Sequence, residues 1–269
     1  MARSIGASAV PELFPATLER VQRWRLDPDV VGVLLVGSKS RGYGDGLSDD
    51  DLEVLLRPEA FHRLAPEACI EVAESDTPGR LAYDAQYLPD GDLERKAGST
   101  FDHDHWPYQR AVVLHDPEGR VRPAVAAAGA MDESFRRTRL QHAMIDGWVA
   151  SRRAEKTVKR RAEGAVRLLL SRAARALIRI AFGLESRWVP LEHWLERELA
   201  TLPDPEGTGS AALQVLAKPD PRIAIAALER LEPRLLAAGL PGGPAGRRQL
   251  FFEIVHPARA AERAIHAVL

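Results

Sequence analysis

The chain has 269 residues, 45% hydrophobic and 28% charged, with one cysteine and a net charge of -1. This is ordinary globular composition with room for one large or two modest domains. The near-neutral charge gives no overall pull on nucleic acid, and the lone Cys69 excludes an internal disulfide and any cysteine-based zinc site.

Cys69 itself reads as a small core hydrophobe. No stretch approaches the roughly 18 apolar residues of a membrane span. The opening Met1-Ala2-Arg3-Ser4-Ile5-Gly6 has no apolar signal core, so a cytoplasmic protein without a membrane partner is expected.

In chain order, Leu13, Leu18, Val21 and Trp24 predict a helix from Pro11 to Arg25. Residues 30–36 form a nearly continuous apolar strand, as expected of one buried on both faces. Ser38 to Arg41 begins a short helix, Gly42, Gly44 and Gly46 loosen the turn that follows, and residues 50–56 form the next strand. Pro58 to Ala65 reads as a helix. Cys69–Ala73 and Arg80–Leu88 read as paired strands about the turn Asp76-Thr77-Pro78-Gly79. Asp92–Ala97 is a short helix or turn, and Ala111–His115 a further strand.

From about Ala124 the strand signals stop. Helices are expected over 131–151, 152–183, 188–201, 211–238 and 246–268, with Gly147 and Gly183 as candidate interruptions. The expected architecture is an α+β domain with a small mixed sheet over residues 1–123 and an all-α domain over 124–269. Residues 44–135 are acidic and 136–180 strongly basic, an asymmetry that suits an anionic ligand.

The densest chemistry lies between the first two strands. Val30–Val36 runs into Gly37-Ser38, and the second strand opens with Ser48-Asp49-Asp50-Asp51. Alternate strand residues share a face, so Asp49 and Asp51 point one way and Asp50 the other. Adjacent carboxylates repel unless a cation lies between them, and hard oxygen donors suit Mg²⁺ or Mn²⁺. The Gly-Ser turn offers backbone N–H groups to a phosphate.

These residues resemble the signature of the nucleotidyltransferase superfamily that includes DNA polymerase beta and the aminoglycoside nucleotidyltransferases: a hydrophobic strand, Gly-Ser, a spacer, then Asp-x-Asp. The resemblance implies that Asp49 and Asp51 bind two Mg²⁺ ions and that a third carboxylate on a later strand completes the site. Asp84, in Leu81-Ala82-Tyr83-Asp84-Ala85-Gln86-Tyr87, is the choice for the third. It implies that Ser38 donates to an NTP triphosphate beside Gly37. Lys39 and Arg41 are candidates to neutralise phosphate charge. Glu53 lies on the Asp51 face, where a salt bridge or a substrate amine would use it. Glu163, on an arginine-rich helix, is a candidate base or a partner for Lys159 and Arg167.

The segment Ala176–Phe182, with Arg187-Trp188-Val189-Pro190 and Glu192-His193-Trp194-Leu195, resembles the helical domain accompanying certain bacterial nucleotidyltransferase domains of uncharacterised function. His193 stands where a Lys is often found. Phe101-Asp102-His103-Asp104-His105-Trp106 reads as a surface loop or acceptor-site lip, with transition-metal binding as a second reading.

The expected activity is transfer of an NMP group from an NTP, ATP by default, to a hydroxyl of a small polar acceptor. An aminoglycoside-like cation would suit the acidic first domain. The alternatives are a protein adenylyltransferase of the antitoxin type acting on a partner protein, and a non-catalytic nucleotide- or RNA-binding module. Nucleic acid is the least favoured partner, because the basic residues lack interleaved stacking aromatics. On this reading Asp51→Asn abolishes turnover and Asp50→Asn costs little.

Overall fold

The computed structural model describes residues 11–266. The opening Met1–Gly6 segment and the expected end of the last helix at 267–268 lie outside the described residues. The chain divides into two compact units, Met1–Ala130 and Met131–Leu269.

The first unit is built on a five-stranded mixed sheet. Its elements are α1 (Pro15–Leu26), β1 (Val30–Leu35), α2 (Gly37–Ser40), β2 (Asp50–Leu56), α3 (Pro58–Phe61), β3 (Ile70–Glu74), β4 (Leu81–Pro89), α4 (Asp92–Ala97), β5 (Val112–His115) and α5 (Val121–Gly129). The strand order is β3-β4-β2-β1-β5. Only β2 and β4 run parallel, and the other neighbours are antiparallel.

All six residues of β1 are buried because helices cover both its faces. On one face Val33, Leu35, Leu52 and Val54 pack with Val21 and Trp24 of α1. On the other, Val31, Leu34 and Leu55 pack with Leu93 of α4 and with Val121, Val125 and Ala128 of α5. Each large aliphatic side chain buried this way contributes about 1.5–3 kcal/mol. Leu18 of α1 was expected in this core but is exposed. Cys69 is only half-buried at the end of a 3-10 turn, where its thiol faces the Ala65 carbonyl.

The expected boundary at 123/124 would cut α5. That helix closes the first unit's second core, so the compact units divide seven residues later, after Ala130.

The second unit is helical: α6 (Glu133–Lys159), α7 (Glu163–Leu184), α8 (Leu195–Leu199), α9 (Thr208–Ala217), α10 (Pro221–Ala237), α11 (Gly243–Val255) and α12 (Ala260–His266). The break expected at 151/152 is absent. α6 continues to Lys159, and the chain turns at Arg160 and Arg161, the latter at φ 57°. Gly147 and Gly183 do not interrupt their helices. They are points of close approach: a Cβ on Gly147 would lie 3.3 Å from the Ala176 Cβ, and one on Gly183 3.1 Å from a Leu140 methyl. The last expected helix is broken by Pro257 into α11, a 3-10 turn and α12. Among the described residues, no helix is long and apolar enough to cross a membrane.

Candidate active site

β1 delivers the chain into the α2 turn, and β2 leaves from beside it. The pairing of β1 with β2 fixes the two against each other, ending at Leu35 opposite Leu52, after which the Val36 N–H donates to the Asp51 carbonyl at 2.9 Å. The turn requires glycine at its first position. Gly37 has φ +66°, and a Cβ there would stand 1.9 Å from Asp51 Oδ2. The Ser38 backbone N–H donates to the Asp51 carboxylate.

The loop before β2 is tied by its own side chains. Asp45 Oδ1 accepts from the Leu47 N–H at 2.9 Å and from the Ser48 hydroxyl at 3.0 Å. Arg80 reaches across from the start of β4 and donates to the Ser48 carbonyl at 3.1 Å, one residue before Asp49.

The parallel register of β2 and β4 places Asp51 opposite Asp84. β4 lies between β3 and β2, so Asp84 is on an interior strand. The three candidate carboxylates form one electrostatic group. The Asp51 pKa is pushed up to about 7, first by burial, then by the charges of Asp49 and Asp84; the Ser38 N–H opposes the rise. Asp84 is also raised, by burial and then by Asp49, and no lysine or arginine acts to lower it. Negative charge is therefore concentrated here, among the described residues no lysine or arginine is ion-paired to any of the three, and a hard divalent cation fits an all-carboxylate donor set of this kind. Among the described residues, no three His, Cys, Asp or Glu side chains meet at metal-ligand geometry. The grouping is thus one of neighbouring charge rather than a closed cage.

Asp50 points to the opposite face, as alternation requires. It is fully buried, ion-paired to Lys39 Nζ at 2.5 Å, and accepts the Phe14 N–H at 2.9 Å. The Lys39 ammonium also lies 4.0 Å from the centroid of the Phe14 ring. Lys39, a candidate to neutralise phosphate, instead neutralises a buried carboxylate on the far side of the strand. Asp50 faces away from Asp51 as expected, and in addition anchors the start of α1 to β2.

Arg41 likewise has a protein partner. Its guanidinium stacks 3.9 Å from the centroid of the buried Trp106 ring and donates to the Trp106 carbonyl. A phosphate would have to share it with that residue.

Glu53, next after Asp51 on its face, is buried and salt-bridged. Lys96 Nζ lies 3.3 Å away, and the Tyr108 hydroxyl lies 2.8 and 2.7 Å from the two carboxylate oxygens. Burial pushes Glu53 up despite the opposing pull of Lys96 and Tyr108. The Tyr108 phenol is raised too, by burial and then by Glu53. Asp92 completes the group, 3.1 Å from Lys96.

The transition-metal reading of residues 101–106 does not hold for His105. It is buried, with Nδ1 2.6 Å from the Ala128 carbonyl and Nε2 3.0 Å from the Ser99 carbonyl. Both ring nitrogens are engaged by backbone, and Asp104 is held by the Ser99 hydroxyl. Glu163 is exposed at the first position of α7, and no ion pair joins it to Lys159 or Arg167.

Sequence reasoning missed three supporting groups: Phe14, Arg80, and the Lys96–Tyr108 clamp. None belongs to a local motif. Each reaches the site region from a distant element, and only the tertiary register shows it.

Residues 104–195 match a family described as a domain of unknown function, DUF4037. The chain is similar in structure to a nucleotidyltransferase-like protein from Exiguobacterium sibiricum 255-15, with 13% identity and a TM-score of 0.47 over 93% of this chain and 87% of that one. No curated protein matches the chain.

Proposed function

We propose that the first unit is the catalytic part of a nucleotidyltransferase that moves an NMP group from an NTP to a hydroxyl of a small polar acceptor. The observation that carries this is Asp51 and Asp84 on adjacent parallel strands beside the Gly37-Ser38 turn, with Asp49 one residue before the first of these strands and Asp51 pushed up to about 7. A set of like charges maintained against burial and repulsion has no stabilising role in the fold, whereas function at a divalent-cation site requires it.

Asp49, Asp51 and Asp84 would hold Mg²⁺ or Mn²⁺. When bound, the metal supplies charge neutralisation for the attacking and leaving oxygens. Gly37 leaves the backbone open to close approach, and the Ser38 side chain, in the first turn of α2, would donate to the triphosphate. The acceptor hydroxyl attacks the α-phosphorus, a P–O bond forms to it, and the bond to pyrophosphate breaks. The hydroxyl proton passes to a carboxylate of the set, Asp84 being the candidate. Asp50, Lys39 and Phe14 brace the strand from behind. Glu53, Lys96 and Tyr108 fix it from the same face, one pleat further along.

The test is release of pyrophosphate from each NTP in the presence of Mg²⁺ and a panel of hydroxylated acceptors. Metal-dependent release by the wild type, absent in Asp49→Asn/Asp51→Asn, supports the reading. Equal release by the two proteins refutes it.

A further inference from the structure

The basic stretch of the helical unit contains a groove that the transfer chemistry does not use. The turn joining α6 to α7 and the loop before α10 frame an open cavity of about 490 Å³, lined by Arg161, Glu163 and Arg167 and by the apolar Val158, Val166 and Pro219. That volume falls in the usual range of small-molecule pockets, about 300–1,000 Å³.

Many arginines of the unit are ion-paired, whereas those of this groove are not. Arg136 pairs with Glu133, Arg172 with Asp146, Arg187 with Glu198, Arg234 with Glu185 and Arg247 with Glu232. Among the described residues, the side chains of Arg161 and Arg167 have no hydrogen-bond or ion-pair partner, although Glu163 shares their groove. Lys156, Lys159 and Arg160 on the same turn are also exposed and unpaired. Five cations thus stand against one acid over residues 156–167. Their mutual repulsion would be relieved by an anion. A planar guanidinium matches the oxygens of a phosphate in bidentate fashion. Beside the cations, Val158 is 48% exposed, giving an apolar wall for the rest of a ligand.

We propose that this groove binds the phosphate monoester of a compact organic molecule that carries a hydroxyl or amine donor. The phosphate lies between Arg161 and Arg167, the donor reaches Glu163, and the organic body rests on Val158, Val166 and Pro219. The proposal stands independently of the transferase reading, because every residue it uses belongs to the helical unit.

The experiment is titration calorimetry of the full chain, without divalent cations, against inorganic phosphate, glucose 6-phosphate and AMP. Three variants are compared with the wild type: Arg161→Asn/Arg167→Gln, Glu163→Gln and Asp49→Asn/Asp51→Asn. Asparagine at 161 tolerates the positive φ, so the first variant keeps the turn. The expected result is binding of one ester, weakened at least tenfold in the arginine variant and unchanged in the aspartate variant. Glu163→Gln is expected to weaken that ester and leave inorganic phosphate unaffected. Which ester binds decides between a sugar-phosphate and a nucleotide source. Absence of ester binding, binding of inorganic phosphate alone, retention in the arginine variant or loss in the aspartate variant would each overturn the proposal.

Discussion

Gly37 and Asp51 occupy one another's space: a Cβ on Gly37 would stand 1.9 Å from Asp51 Oδ2 and 2.5 Å from its Cγ. The end of the first strand and the start of the second are therefore built around a carboxylate that only glycine admits. Gly37→Ala is expected to push the Asp51 side chain away and to strain a backbone at φ +66°. The cost should be about 1–3 kcal/mol in urea denaturation. Loss of divalent-cation-dependent NTP binding should accompany it.

Asp50 and Asp51 are neighbours in sequence with opposite roles. Asp51→Asn is expected to abolish turnover and leave the fold intact, since it removes one member of a repelling set. Asp50→Asn leaves the Lys39 ammonium without its charge partner, 12% exposed and beside a buried amide. A loss of about 3–5 kcal/mol is expected from breaking such a pair. Thermal melting of both variants checks this, and equal effects on stability would contradict the opposite-face register.

The Asp51 shift fixes a pH dependence. Its folded pKa, about 7, lies above the ordinary 3.8, so the folded state holds a proton that the unfolded chain releases. This contribution is fully present below about pH 4 and is lost as pH rises through 7, on the order of 4 kcal/mol in all. In metal-free buffer, stability is expected to fall over that window in the wild type and to do so less in Asp51→Asn. Protons and cations compete for the same carboxylate, so the affinity for Mg²⁺ should weaken as pH drops from 8 to 6. Denaturation and calorimetry across pH measure both.

Among the described residues, Lys96 is the one cation salt-bridged to the buried Glu53. Lys96→Met leaves that carboxylate buried with only the Tyr108 hydroxyl, and a loss of about 3 kcal/mol is expected. Adding Glu53→Leu should recover much of it, because an apolar pair needs no compensation. A double-mutant cycle in urea resolves the coupling, and purely additive effects would show that the pair is not coupled.

The sequence was most informative where local pattern and tertiary role coincide. The apolar run at 30–36, the Gly37-Ser38 turn and the alternation at 49–51 all rest on period-two geometry, and the strands formed close to their expected bounds. Asp84 was identified from its mid-strand position, and its place opposite Asp51 follows from a parallel pairing that no local signal specifies. The misreadings share one cause. Lys39 and Arg41 look functional by proximity to the motif, and Asp50 looks dispensable because it faces away from it, but their partners, Asp50, Trp106 and Lys39 with Phe14, come from packing. Gly147 and Gly183 looked like breaks because propensity disfavours glycine in helices, while close helix packing at Ala176 and Leu140 favours it.

The measurement that bears most directly on the carboxylate site is titration calorimetry of the full chain with the four NTPs, with and without Mg²⁺, repeated on Asp49→Asn/Asp51→Asn. Metal-dependent binding of one NTP, lost in the variant, is the expected result and names the donor. Absence of metal-dependent binding, or its persistence in the variant, would contradict the assignment of Asp49, Asp51 and Asp84 as the cation site.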